Sequence, residues 1–323
     1  MREKALADLF VVTGGAGFIG SHIAERLLLE GRDVRVVDDF SSGRRENLEA
    51  ARRVASGRGR LEVLEGSLVD PEFARRAADG ATYVLHQAAI PSVPRSVADP
   101  ARSHAANATG TLNMLLAARE QKVRRFVYAS SSSAYGDTPV LPKVETMPTS
   151  PLSPYAIQKL AGEQYARVFH SLYGLPTVAL RYFNIFGPRQ DPKSEYAAVI
   201  PKFIAALSRG EQPTIYGDGR QTRDFCYIAN AVDANLLACT AREAAFGRAF
   251  NVACGSRVSL LDLVKLLNGL LKTSIGPRLT DPRPGDVRDS LADIGAARDL
   301  LGYEVKVHLE EGLRLTVEAA GRT

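Results

Sequence analysis

Six short runs rich in apolar and β-branched residues punctuate the first 185 positions: "LFVVTGG" from Leu9, "DVRVVDDF" from Asp33, "LEVLEG" from Leu61, "TYVLHQAA" from Thr82, "RFVYASSS" from Arg125 and "TVALRYFN" from Thr177. Between them, segments 18–30, 103–121 and 154–173 carry apolar residues at helical spacing. Strand-length runs alternating with helix-length segments predict repeated βαβ units on a parallel sheet. The expected fold class is therefore α/β, a Rossmann-type doubly wound parallel sheet.

After residue 185 the pattern loosens into Pro- and Gly-rich connections, "FGPRQDP", "YGDGRQ" and "TDPRPGD", separating short helices near 196–208 and 259–272. This predicts a smaller mixed α/β C-terminal lobe. With 323 residues the chain exceeds the roughly 250–300 at which single cores stop growing. Two strand-like pieces, "DFCYI" and "AFNVA", are expected to return to the first domain. The expected division is 1–184 with return segments near 224–254, against 185–223 and 255–323.

Composition narrows the partners. Hydrophobic content of 45% and charged content of 24% are ordinary for a globular protein and argue against disorder. The formal charge is +5, but the basic residues are scattered, with only pairs such as Arg44-Arg45 and Arg124-Arg125. No nucleic-acid-binding face is expected, although part of the excess suits a phosphorylated ligand. The three cysteines, Cys226, Cys239 and Cys254, form no C-x-x-C pair, which implies a reducing compartment and no metal site. No apolar stretch reaches membrane-spanning length, and "MREKALADLF" lacks the apolar core of a signal peptide. A soluble cytoplasmic protein is expected.

Candidate chemistry begins at "VVTGGAGFIG", where Gly14, Gly17 and Gly20 lie between a strand and a helix. Backbone amides and a helix N-terminus in that place can cradle a pyrophosphate. Asp38 ends the next strand, about 20 residues on, where a carboxylate accepts both hydroxyls of a ribose and repels a 2′-phosphate. That favours NAD; Arg44 and Arg45 are the feature that would suit NADP instead. In "SPYAIQK", Tyr155 and Lys159 stand four residues apart on one helix face. A phenol acting as a base near pH 7 needs its pKa lowered by roughly 3 units from about 10, or about 4 kcal/mol. A nearby ammonium and a positive nicotinamide supply that.

These motifs, with the serine cluster of "YASSSSAYGD", resemble the extended short-chain dehydrogenase/reductase family. The likeness spans nearly the whole chain through "HQAAIPSVPRS", "RYFNIFGPRQDP", "AAVIPKF", "GDGRQTRDFCYI" and "RPGDVRDSLADI", segments that look like UDP-sugar 4-epimerases, particularly the branch acting on UDP-N-acetylglucosamine. The resemblance implies that Ser131 joins Tyr155 and Lys159 in catalysis. It also implies cofactor contacts from Phe18, Ile19, Ser67, Leu68, Ala88, Asn107 and Tyr182, besides the glycines, Asp38, Tyr155 and Lys159. Similar proteins often carry an aspartate where Ser67 stands, so weaker NAD retention is expected.

For the substrate, the same likeness points to Asn184 and Arg223, Arg283 and Arg288 near the diphosphate, where arginine forks suit phosphate oxygens. It assigns Asp286 to the uridine ribose, and Val199 is a further expected contact. Expected sugar walls are Pro91, Ser132, Ser133, Gln190, Ala198 and Ser290. Ser290 occupies a position where a tyrosine narrows the pocket in relatives, and its small side chain leaves room for an N-acetyl group. Pro91 replaces a glycine common in similar proteins.

The implied reaction is reversible oxidation at C4 of a UDP-hexose through a 4-keto intermediate, converting UDP-N-acetylglucosamine to UDP-N-acetylgalactosamine, with UDP-glucose to UDP-galactose as a second pair. Similar 4,6-dehydratases have Asp and Glu after the catalytic hydroxyl; Ser132 and Ser133 stand there instead, leaving no carboxylate for elimination. A UDP-glucuronate 4-epimerase or decarboxylase and a non-enzymatic NAD-binding scaffold remain alternatives at this point. The resemblance also implies a homodimer packed through segments 103–121 and 154–173.

Overall fold

The computed structural model describes residues 8–191, 199–282 and 287–321. Strands β1 (Leu9–Thr13), β2 (Asp33–Asp38), β3 (Leu61–Glu65), β4 (Tyr83–His86), β5 (Arg125–Ser131), β6 (Thr177–Tyr182) and β7 (Arg248–Val252) form one sheet in the order β7-β6-β5-β4-β1-β2-β3. The pairs β1–β2, β2–β3, β1–β4 and β4–β5 run parallel. All six strands expected in the first half are present. The chain winds outward from β1 to β3, then crosses back to β4, so the order reverses between β1 and β4, where doubly wound sheets leave a crevice beyond their carboxyl ends.

Val11, Val12, Val84, Leu85, Phe126 and Val127 are fully buried, which explains the nearly continuous apolar runs of these strands. A parallel sheet covered on both faces needs apolar side chains in both directions. The helix Phe18–Leu29 buries Ile23, Ala24, Leu27 and Leu28.

The chain divides into two compact units. The first comprises Met1–Ser131, Ser153–Leu180 and Val232–Phe250; the second comprises Ser132–Leu152, Arg181–Ala231 and Asn251–Thr323. This differs from the expected division, beginning with Arg181–Asn184, which fall with the second unit. Residues 132–152 go with the second unit because Lys143 N donates to Leu291 O (2.7 Å) and Asp293 N to Lys143 O (2.9 Å). "DFCYI" does not rejoin the main sheet: Cys226–Tyr227 pairs in parallel with Ile185–Phe186 within the second unit. "AFNVA" does return, as the edge strand β7, and the segment that comes back to the first unit is Val232–Phe250.

Among the described residues no helix is long and apolar enough to cross a membrane, and no group of three metal-ligating side chains assembles.

Candidate active site and nucleotide cavity

In the first unit, Gly14 closes β1 at φ +62°, donating its amide to Val37 O (2.7 Å). A Cβ on Gly14 would stand 2.8 Å from the backbone of Ala88, and one on Gly20 would run into Gly14 O. The helix that follows starts at Phe18 with Gly17 as its cap and no side chain covering its end. Its first amides therefore stay open, and together with the Cβ-free cradle they fit a pyrophosphate. Asp38 is buried at the tip of β2 and accepts from Ala16 N and Phe40 N, both at 2.9 Å. Two amides leave carboxylate lone pairs over for a ribose diol. Burial raises the Asp38 pKa and the two amides pull it back.

The other expected cofactor residues are placed unequally. Phe18 and Ile19 open the helix beside Gly17, and Ala88 follows β4 with its amide on Thr13 Oγ1 (3.2 Å). Leu68 is buried, while Ser67 is exposed and its hydroxyl already accepts from Val69 N (3.3 Å). Asn107 sits on the π-helical turn Ala105–Thr109, its amide holding Ile90 N (2.7 Å) and Gln158 Oε1 (2.9 Å). Tyr182, at the end of β6, falls with the second unit.

Ser131 ends β5, the strand that precedes the Tyr155 helix in the first unit. Tyr155 is in the first turn of the helix Pro154–Tyr173, whose cap Ser153 accepts from Ala156 N (3.1 Å); Tyr155 N is held by Ser96 Oγ (3.0 Å). One turn on, Lys159 is 4% exposed and donates to Ala129 O (2.8 Å). Burial raises the Tyr155 phenol above its usual pKa and the Ser131 hydroxyl lowers it. Burial pulls the Lys159 ammonium down to about 8. Ser130 is buried and donates to Glu163 Oε2 (2.6 Å), which separates it from the Ser131 and Tyr155 pair.

Three residues that sequence reasoning missed complete this corner. His86 lies between Thr13 Oγ1 (2.9 Å from Nδ1) and Thr111 Oγ1 (3.0 Å from Nε2). Thr111 donates its hydroxyl hydrogen to Asn107 O (2.6 Å), so it accepts from His86 Nε2–H, and Nδ1 is the acceptor. Burial, followed by the Lys159 charge, lowers His86 to about 3, so it stays neutral. Tyr128 and Glu163 are the other two. Tyr128 opens the very stretch that holds the serines, and Glu163 repeats the four-residue step from Lys159; that spacing was a usable signal.

In the second unit, a cavity of about 230 Å³ is lined by Asn184, Val199, Phe203, Tyr216, Gln221 and Arg223 with their neighbours. It brings together three of the expected substrate residues and adds Phe203, Tyr216 and Gln221, which the sequence reading did not single out. Asn184 has φ +34° and donates through Nδ2 to Asp224 O (3.0 Å) and Ser290 Oγ (3.2 Å). Ser290 is buried, its hydroxyl also accepting from Asp224 N (3.3 Å). The Arg223 guanidinium donates to Thr222 O and Arg288 O (2.9 and 2.8 Å). Arg288 itself is exposed and pairs with Asp218 (3.1 Å).

Gln190 holds Ile185 O (2.9 Å) and does not line this cavity. Ser132 and Ser133 open a 3₁₀ turn of the second unit, whereas exposed Pro91 belongs to the first. Ala198, Arg283 and Asp286 lie outside the described residues.

The chain matches the NAD dependent epimerase/dehydratase family over residues 10–253. It is 40% identical over 310 residues to a UDP-glucose 4-epimerase of Mycolicibacterium smegmatis, covering 95% of this chain and 97% of the relative. Among solved structures it is similar to a UDP-N-acetylglucosamine 4-epimerase from Methanobrevibacter ruminantium in complex with UDP-N-acetylmuramic acid, with TM-score 0.91, 39% identity and 98% of each chain covered. A UDP-glucuronic acid 4-epimerase variant from Bacillus cereus, in complex with a 4-deoxy-4-fluoro substrate analogue and NAD, matches with TM-score 0.89 and 29% identity over 97% of this chain and 99% of that one.

Proposed function

This chain belongs to the NAD dependent epimerase/dehydratase family, and from that premise we propose that it is an isomerase catalysing C4 epimerisation of a UDP-hexose, with UDP-N-acetylglucosamine to UDP-N-acetylgalactosamine as its preferred reaction. The observation that carries this reading is the buried Lys159 one helical turn from Tyr155, with Ser131 ending β5 and Ser132 and Ser133 where an eliminating enzyme needs carboxylates. Relatives acting on UDP-glucose, UDP-N-acetylglucosamine and UDP-glucuronate support the UDP-sugar class.

The cradle of Gly14, Gly17 and Gly20 with Asp38 would hold NAD, which when bound supplies the hydride acceptor that makes oxidation at C4 reversible. Tyr155 takes the proton of the C4 hydroxyl and, after the 4-keto sugar has turned over, returns a proton to the C4 oxygen. Ser131 orients that hydroxyl and shares the proton. The Lys159 ammonium stabilises the phenolate, countering the burial that otherwise keeps Tyr155 protonated.

In the second unit, Asn184 and Arg223 are the proposed diphosphate contacts, with the aromatic and aliphatic wall of the cavity taking the base. Arg283 and Asp286 remain proposed contacts on motif grounds. Ser290 supports the acetylated substrate, because its short side chain is tied back to Asn184 and Asp224.

Ile157, Tyr165, Val168 and Leu172 form an exposed apolar stripe on the helix Pro154–Tyr173. We assign this stripe to a homodimer contact in a cytoplasmic enzyme; sedimentation as a monomer at micromolar concentration overturns it.

The test is a product assay on purified protein with UDP-N-acetylglucosamine, UDP-glucose and UDP-glucuronate, without added reductant. Preferential formation of the galacto-epimer of the acetylated sugar is expected. Turnover of UDP-glucose alone keeps the reaction and rejects the pocket argument, and carbon dioxide release from UDP-glucuronate replaces the reading with a decarboxylase.

A further inference from the structure

Lys159 is an ammonium buried with no carboxylate within ion-pair distance among the described residues. Glu163, the next acid along its helix, is engaged with Ser130. A charge taken out of water without a partner is costly, so something else must hold it. Two groups do. One is the Ala129 carbonyl, and the other is the face of Tyr128, whose ring centroid lies 5.3 Å from Lys159 Nζ. An ammonium within about 6 Å of an aromatic centroid is attracted by the ring quadrupole, more so when desolvated.

Tyr128 is fixed from every side. It is fully buried, His86 stacks against it at 6.0 Å and 18°, and its hydroxyl donates to Lys159 O (3.2 Å). Gly162 leaves the room this requires, since a Cβ there would run into the Tyr128 hydroxyl. The same side chain thus grips the helix turn that projects Lys159 and offers a ring to its charged end.

We propose that Tyr128 is a positioning residue that acts through Lys159, its ring face keeping the ammonium charged and its hydroxyl fixing the turn that carries it. The assignment rests on the reading that Lys159 serves Tyr155 in C4 oxidation. Tyr128 is not itself a rival base, because burial and the neighbouring Tyr155 and Glu163 drive its own phenol far above the usual range. The titratable groups around Lys159 are His86 from β4, Tyr128 from β5, and Tyr155 and Glu163 from its own helix. From segment 105–111 come Asn107 and Thr111, which do not titrate. His86 is held neutral, so the ring remains the main adjustable support for the charge.

The experiment replaces Tyr128 by phenylalanine and by mono-, di- and trifluorinated phenylalanine, introduced at that codon alone. Fluorines drain the negative ring face at nearly constant volume, so folding is preserved while the proposed interaction weakens. Lys159 is titrated in the NAD-loaded protein by NMR of ¹³C-labelled lysine. Across the fluorine series its midpoint is expected to fall progressively, by roughly one pH unit in total. The alkaline limb of kcat/KM for the UDP-sugar should move with it, whereas the plain Phe variant, which loses the hydroxyl bond to Lys159 O and keeps the ring face, should lower kcat/KM several-fold with little movement of the Lys159 midpoint. An unchanged midpoint from Phe to trifluoro-Phe overturns the proposal, as does a full shift in the plain Phe variant. The NMR trend needs no turnover, so a wild-type protein that epimerises nothing would remove the proposed reaction while leaving this coupling measurable.

Discussion

Lys159 in the first unit is buried against a carbonyl and a ring, whereas Arg288 in the second stands in solvent beside Asp218. Arg223, between these extremes, anchors its guanidinium on two carbonyls. The difference matches the work proposed for Lys159 and Arg223. A group that tunes a proton transfer must be dry, because low polarity turns small geometric changes into large shifts of proton affinity. A group that grips a diphosphate needs a fixed fork more than dryness. Lys159 is brought down to about 8 by burial, close to working pH, while an exposed pair such as Arg288 and Asp218 is screened by water.

The largest expected effect breaks the dry corner directly. Tyr155→Phe removes the proton acceptor and should lower kcat by about 10²–10⁴-fold while UDP affinity, followed by calorimetry, stays within a few-fold of wild type. Next comes the cavity: Arg223→Ala should weaken UDP binding by roughly 10- to 100-fold, the range for losing a charged hydrogen-bonding partner, with little change in NAD retention.

The pH dependence of stability separates the regions further. His86 is lowered to about 3 in the folded state against 6.5 for a free imidazole, so between those values the unfolded chain binds the extra proton. Stability conferred by the neutral imidazole is complete above pH 6.5 and is lost as pH falls toward 3. Thermal melts should therefore drop on acidification, and His86→Phe should flatten that slope; an unchanged slope removes His86 as the cause. The smallest effect is at the solvent-facing end, where Arg288→Ala should change UDP affinity no more than a few-fold, since an exposed ion pair contributes about 0–1 kcal/mol. A loss as large as that of Arg223→Ala would erase the contrast between the two arginines.

Several features were legible in the chain alone because their causes are local. Strands buried on both faces must read as apolar runs, so β1, β4, β5 and β6 announced themselves, and the edge strand β3 did so through its β-branched and aliphatic composition. The glycines, Asp38 and the Tyr155–Lys159 step follow from backbone geometry over a few residues: a positive φ at Gly14, a helix end at Phe18, and one helical turn. What the sequence by itself determined was therefore the α/β class, the glycine turn that opens the first helix and the placing of Tyr155 and Lys159 on one helix face.

Only the tertiary structure decided which long-range partners these residues meet. Segment 132–152 follows β5 in sequence but joins the second unit through bonds to residues 291 and 293, a pairing that no periodicity encodes. "DFCYI" has the composition of a sheet strand, yet pairs with Ile185–Phe186, because a two-residue strand carries no address. Tyr128 and His86 read as core residues in their strands, and they are; it is the packing of one helix turn over them, permitted by Gly162, that turns two core side chains into the surroundings of Lys159. Local rules specify which groups are present. Burial and distance, which set proton affinity, exist only once the strands and that helix are packed together.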